Sequence, residues 1–306
     1  MNGIVIVDKQ EGVTSHSVVS EIRKIFPDTK AGHSGTLDPM ATGVLPVCLG
    51  KATRIAEFLI ELPKTYRAAV TLGKTTDTGD TTGKIMTEKA VPHLERKEIE
   101  KVLLKQFQGT IEQCVPFYSA VKHRGKPFYY WTRRGENVPV RKRLVEIYSI
   151  RLLEIDNKHA PHLIIDVKCS KGTYIRTLAE DIGKEIGCGG HLSSLVRCSV
   201  GPYELKEAMK IEEIKAKAKI SSDYTDFMKS MDTALMNLPK LNLDDLQIIR
   251  LKQGQIVILD EPGMIKDLEE LSPVRIYDLS GRFKAIACPV SKEGINGLKT
   301  VKYLSE

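Results

Sequence analysis

The sequence predicts an α+β protein: a mixed, largely antiparallel sheet flanked by helices, followed by a small β-rich module. Three observations carry this expectation. Strand-like and helix-like segments are interleaved without the regular βαβ alternation of a doubly wound sheet. The stretches Arg143 to Ile155 and Leu163 to Ser170 alternate apolar and polar residues as antiparallel strands do. Beyond Leu238, short apolar stretches are punctuated by Gly254, Pro262-Gly263, Ser280-Gly281, Gly294 and Gly297, the rhythm of a compact β unit.

The elements follow in order. The first strand, Ile4 to Val7, enters a turn over Lys9 to Ser15 that ends in hydroxyl N-cap candidates, Thr14 and Ser15. A helix over His16 to Ile25 places Val18, Val19, Ile22 and Ile25 on one face, and Pro27-Asp28 stops it. A glycine-rich loop, Gly32 to Gly43, leads into an apolar strand at Val44 to Leu49. A helix at Ala52 to Leu59 precedes the alternating strand Thr65 to Leu72. Asp77 to Gly83 is a polar turn between hairpin strands, residues 96–108 form an amphipathic helix, and a helix over 177–186 ends at Gly187. The stretch Ile211 to Tyr224 reads as a helix running into a linker. At 306 residues the chain exceeds a typical domain of roughly 100–200. The expected division is a larger domain over 1–237, with a helical linker over about 211–237, and a module over 238–306.

Hydrophobic residues make up 42% and charged residues 28%, the balance of a soluble globular protein. The longest near-apolar run, Ala41 to Gly50, falls short of the ~20 residues of a membrane span. The N-terminus alternates like a strand and lacks the pattern of a signal peptide, so a cytoplasmic location is expected. The six cysteines are scattered without a CxxC pair, which reads as free thiols and excludes a structural zinc site. Gly73-Lys74-Thr75 mimics the end of a phosphate-binding loop, but Ala68 stands where that motif requires glycine. Asp77 to Asp80 lacks the spacing and closing glutamate of a calcium loop. No metal, nucleotide or redox cofactor is expected.

Net charge is +7, and all of it lies in residues 1–239, with 36 basic against 29 acidic residues; residues 240–306 hold ten of each. A polyanion would dock mainly on the first part. Within it, Lys122 to Arg143 holds eight Lys/Arg, one acidic residue and the aromatic run Phe128-Tyr129-Tyr130-Trp131. That composition suits phosphate tracking with base stacking; a solvated helix with an aromatic core face is the alternative.

The most informative segment is Gly32-His33-Ser34-Gly35-Thr36-Leu37-Asp38-Pro39-Met40-Ala41-Thr42-Gly43-Val44-Leu45-Pro46. Its glycines permit close backbone approach and its Asp38-Pro39 fixes a turn. It resembles the catalytic motif of the TruB-type pseudouridine synthases, G-H-x-G-x-L-D-P-x-A-x-G-x-L-P. Three further blocks agree in order and spacing. They are Thr65-Tyr66-Arg67 with the turn Thr76-Asp77-Thr78-x-Asp80; Pro116-x-Tyr118-Ser119-Ala120-x-Lys122-x-x-Gly125; and Ser170 to Arg176 with Gly187 to Leu195. Together they span residues 1 to about 205. The C-terminal module resembles, more loosely, the small β domain called PUA. One departure stands out: Gln10 occupies the place of a proline that usually stiffens the family's first block, K-P-x-G-x-x-S.

The resemblance implies a tRNA pseudouridine synthase that isomerises the T-loop uridine, position 55, without a cofactor. Pseudouridine formation breaks the bond from N1 of uracil to the ribose, turns the base and rejoins it through C5. A fixed carboxylate can act as nucleophile, electrostatic stabiliser or base, and the resemblance assigns this to Asp38. It implies Arg176 as the partner of Asp38, and Tyr66 as a ring stacking on uracil whose hydroxyl helps the C5 proton leave. It places Leu195 beneath the base, His33 as a wedge in the T loop, and Asp80 and Lys122 near RNA. Read with strand period, Tyr174 and Arg176 share a face. Extruding the nucleotide costs roughly a few kcal/mol, which such a wedge offsets. The expected partner is the tRNA elbow and T-arm, and a monomer is expected. Two alternatives remain open: a tRNA-folding chaperone, and the catalytic subunit of a guide-RNA pseudouridylation particle. The short stretch before Ile4 favours the stand-alone enzyme over the latter.

Overall fold

A computed structural model describes residues 1–157, 161–220, 224–258, 272–292 and 295–305. Among these the chain forms a ten-stranded sheet and a five-stranded sheet, with two small hairpins. Along its main path the large sheet runs Met228–Lys229, Gly3–Lys9, Thr42–Leu49, Gly190–Val200, Lys64–Leu72, His162–Cys169, Lys142–Asp156 and Gly109–Cys114. Neighbours are antiparallel except at the centre, where Thr42–Leu49 meets Gly190–Val200 in parallel. This is the mixed, largely antiparallel sheet the sequence predicts.

That central seam is short, pairing Val196 with Thr42 and Arg197 with Gly43. Gly43 has φ +100°, and a Cβ there would lie 2.4 Å from the Arg197 carbonyl oxygen, so only glycine lets the two backbones meet. The glycine-rich loop enters the sheet here. Its start, Ala31–His33, is a short strand paired with Thr42–Leu49.

Helices cover the sheet. Thr14 caps the first, Ser15–Ile25, by accepting a hydrogen bond from the Ser17 amide, and its buried face is Val18, Val19 and Ile22. Ile175–Ile186 packs Leu178, Ala179 and Ile182 into a core with Val70, Ile165 and Leu192. Gly183 sits where a Cβ would strike the backbone of Gly189 and Gly190, which lets this helix lie close against the sheet.

Two expected helices are composite. Gly50–Ile55 is a 3₁₀ turn before the α-helix Ala56–Glu61, and Arg96–Val102 passes into a π turn, Leu103–Phe107. In the region expected as a linker, Ile211–Ile220 is helical and buries Ile214 among Val5, Val19 and Ile22, and Met228–Lys229 joins the sheet edge.

The second sheet runs Lys240–Leu243, Val274–Asp278, Phe283–Lys292, Ile295–Tyr303 and Val257–Ile258. It carries a helix, Asp245–Lys252, closed by a capping box between Asp244 and Gln247. The turns expected at Pro262-Gly263 and Gly294 lie outside the described residues. The module is not tethered loosely: Ile286 and Leu304 belong to the same core as Ile4, Ile6, Ile55 and Leu59. Lys51 Nζ and Arg54 Nη1 donate to the carbonyls of Ser305 and Tyr303, and Tyr277 donates to Asp232 at 2.7 Å.

Leu304 is 1% exposed within that shared core. Leu304→Ala is therefore expected to cost about 2–5 kcal/mol in urea unfolding, with one transition reported both by far-UV circular dichroism and by tryptophan fluorescence. A wild-type midpoint would contradict the shared core.

Candidate active site

Asp38 sits at the tip of the loop between the paired strands Ala31–His33 and Thr42–Leu49. Its backbone is held on both sides. Ser15 Oγ accepts from the Leu37 amide at 2.8 Å and lies 3.1 Å from the Leu37 carbonyl, to which it donates. Pro39 O accepts from Gly12 N at 2.8 Å and from Lys9 Nζ at 3.2 Å. Lys9 is fully buried, and its ammonium also donates to the carbonyls of Gln10 and Val13. Burial pulls its pKa down to about 8, against the opposing pull of Asp38. The Lys9–Ser15 turn is therefore tied down by side chains although Gln10 lacks a proline ring; the Gln10 amide donates to the Asp8 carbonyl and carboxylate.

Arg176 is the hub. Its Nε lies 3.0 Å from Asp38 Oδ2, and its Nη1 lies 3.7 Å from Asp80 Oδ2. Nη1 also donates to Thr78 O at 3.1 Å and Nη2 to Tyr118 O at 2.8 Å. The arginine side chain is 7% exposed while that of Asp38 is 38% exposed, so the carboxylate faces outward with the cation behind it. Asp80 is fixed in its turn: its Oδ1 accepts from Thr78 Oγ1, Thr82 N and Thr82 Oγ1.

Tyr66 packs on the core that contains Leu37 and Leu195, and its strand neighbour is Arg197. Burial raises the Tyr66 pKa, and the nearby Arg197 guanidinium works against that rise. Arg197 is 1% exposed and donates to the carbonyls of Val44 and Gly35, bracing the loop from beneath. Leu195, 7% exposed, pairs across the sheet with Ala68, two residues from Tyr66. His33 stays neutral near pH 7, because burial, Arg197 and His16 all lower its pKa; its Nδ1 has no hydrogen-bond partner among the described residues.

The structure brings together Asp38, Arg176 and Asp80, and lines Tyr66 and Leu195 along the same core. Tyr174 does not share a strand face with Arg176. Ser170 to Thr173 form a turn, Tyr174 caps the helix, and Arg176 is already helical. The Tyr174 ring instead packs beside Val115, Phe128 and Val138, with Arg143 5.5 Å from its centroid. Lys122 lies in an exposed hairpin, Lys122–His123 against Lys126–Pro127, and the aromatic run forms the short helix Phe128–Thr132. Lys9, Ser15 and Arg197 escaped sequence reasoning as supports of the site. The available signal was a lysine and a serine flanking a glycine turn just upstream of the loop.

The chain matches the TruB family pseudouridylate synthase N-terminal domain over residues 23–175 and the tRNA pseudouridylate synthase B C-terminal domain over 176–236. It is 43% identical over 291 residues to the tRNA pseudouridine synthase B of Francisella tularensis subsp. novicida, covering 94% of this chain and 91% of that one. The Chromohalobacter salexigens protein of the same name is 42% identical over 281 residues, covering 90% and 87%. Among solved structures, a chain of a Cbf5-Nop10-Gar1 complex superposes with TM-score 0.75 at 27% identity, covering 99% of this chain and 85% of that one. A chain of an H/ACA RNP bound to a substrate RNA containing 2′-deoxyuridine gives 0.73 at 25% identity, with the same coverage. Fold and sequence matches together define a pseudouridine synthase. The chain belongs to the TruB family of these enzymes.

Ser15→Ala would leave the buried Leu37 amide without its partner, at a cost of about 1–3 kcal/mol in denaturant unfolding. Because Leu37 adjoins Asp38, single-turnover pseudouridylation is expected to fall about tenfold or more. Unchanged stability and rate would remove Ser15 from the support of the loop.

Proposed function

We propose that this protein converts the uridine at position 55 of the tRNA T loop to pseudouridine, with Asp38 as the catalytic carboxylate. The observation that carries this reading is the Asp38–Arg176 pair, 3.0 Å apart, with the carboxylate turned outward and the guanidinium buried behind it. A carboxylate so held is aimed, and its partner is fixed in place behind it. It can attack or stabilise C1′ as the N1 bond breaks, or take a proton from the sugar, and the geometry serves each of these routes. Tyr66 then offers a ring for the uracil and a hydroxyl for the proton leaving C5, with Leu195 beneath the base.

The substrate assignment rests on the two tRNA pseudouridine synthases that are 42–43% identical to this chain over 281–291 aligned residues. Around the site, His33 fits a wedge for the space a flipped nucleotide leaves, since its neutral ring costs little to insert between bases. Lys122, Tyr174 and the cation–aromatic pairs Arg133–Tyr129 and Arg134–Tyr130 form a surface suited to phosphates and stacked bases. Residues 238–306 form a PUA-like RNA-binding unit in this reading.

The superposition on a chain of an H/ACA RNP bound to a substrate RNA favours one second reading, catalysis inside a ribonucleoprotein that depends on a guide RNA. Tritium release from C5-labelled uridine in a tRNA transcript, with no guide RNA added, separates the two. Robust release is expected from the wild type. Asp38→Asn should bind tRNA nearly as well and release tritium at least about 10³-fold more slowly, since an amide is neither base nor nucleophile. Activity of the Asn variant above a few per cent would remove Asp38 from the chemistry. Release that requires guide RNA would establish the second reading.

A further inference from the structure

We propose that Glu180 is a positioning residue for this site: one helical turn beyond Arg176, it competes with Asp38 for the same guanidinium and so sets how firmly the catalytic carboxylate is held. The proposal rests on the reading of Asp38 given above.

Residues four apart on a helix face each other, and an arginine and a glutamate so placed ordinarily pair. Here Arg176 is committed elsewhere. Its Nε meets Asp38, Nη1 donates to Thr78 O, and Nη2 donates to Tyr118 O. Among the described residues Glu180 receives no ion pair from it. The Glu180 carboxylate rests instead on Gly79: a Cβ at that glycine would lie 2.9 Å from Oε1 and 3.4 Å from Oε2. Gly79 belongs to the turn that carries Asp80, and its carbonyl is held by the Leu192 amide. Glu180 thus touches both supports of the site, the Arg176 helix and the Asp80 turn.

The charges acting on Glu180 are Asp181 and Arg176 from its own helix and Asp80 from the turn; Lys184 acts in turn on Asp181. Burial raises the Glu180 pKa to about 7, Asp181 and Asp80 add to the rise, and Arg176 opposes it. A neutral Glu180 leaves the guanidinium to Asp38. An ionised one is a third carboxylate around a single cation, and it draws Arg176 toward itself. Both forms are populated near neutrality, so the grip on Asp38 changes there.

The test is the single-turnover rate of tRNA pseudouridylation at saturating enzyme from pH 5.5 to 8.5, for wild type, Glu180→Gln and Glu180→Asp. The wild-type rate should change about threefold or more around pH 7. Glu180→Gln, locked neutral, should lose that step and hold the wild-type low-pH rate through pH 7.5, below the range in which Lys9 loses its proton. Glu180→Asp should restore a step with a displaced midpoint. A separate readout is stability. A carboxyl whose pKa is raised by folding binds its proton more tightly in the native state, so its contribution falls as pH rises from about 4.5 to 7. Glu180→Gln should therefore melt higher than wild type at pH 8 and alike at pH 5. A flat wild-type profile, or a Gln variant that keeps the wild-type step, overturns the proposal. Should Asp38→Asn prove active in the same assay, the reading of Asp38 falls instead, whatever the Glu180 profiles show.

Discussion

The guanidinium of Arg176 ties together segments that lie far apart in sequence. It reaches the Asp38 loop, the Thr78–Asp80 turn and the Tyr118 carbonyl from one position at the start of a helix. A planar group with donors along a fixed fork can do this, where a lysine ammonium would point at one partner or another. Burial of the cation makes the arrangement demanding, because a charge removed from water must find its compensation in place. Asp38 supplies part of that compensation while remaining accessible. The same interaction that satisfies the arginine thus aims the carboxylate.

Beneath the loop the chain uses cations in a different way. Lys9 and Arg197 are fully buried and meet mainly carbonyl oxygens, five of them in all, from Gln10, Val13 and Pro39 for Lys9 and from Val44 and Gly35 for Arg197. These bonds fix the backbone on which Asp38 stands, and the charges shape the groups around it. Arg197 helps to keep His33 neutral and pulls the Tyr66 hydroxyl back toward acidity against the effect of burial. Asp38 in turn helps Lys9 to keep its proton despite its burial. The floor and the lip of the site are electrically coupled.

The glycine-rich loop with Asp38 was legible because its unusual composition has a local cause: a tight seam where Gly43 meets Arg197 admits no side chain. The long alternating strands were legible because each has one face in the core. The region before Arg176 misled, since Thr173-Tyr174-Ile175 is β-rich in type, yet Ser170 to Thr173 turn and Tyr174 caps a helix. That outcome depends on Gln113, which bonds both the amide and the carbonyl of Tyr174 from a strand 61 residues away. Ser15 was read as a capping candidate, but Thr14 caps the helix and Ser15 holds Leu37 instead. Such long-range roles leave no periodic trace. Neutral charge in residues 240–306 likewise hid how the second sheet is seated, because shared apolar residues such as Ile286 and Leu304 hold it there.

The joint core of Ile4, Ile55, Ile286 and Leu304 also bears on how the protein is made. A ribosome delivers the first strand long before residue 304 emerges, and the glycine-rich loop emerges close behind it. Until then the face formed by Ile4, Ile6 and Leu59 is without its cover, and closing it joins residues some three hundred positions apart. Contacts of that span form slowly, since the chain between must first be gathered in. The nascent chain therefore holds the Asp38 loop on a half-covered scaffold until Ile286 and Leu304 arrive to complete this core.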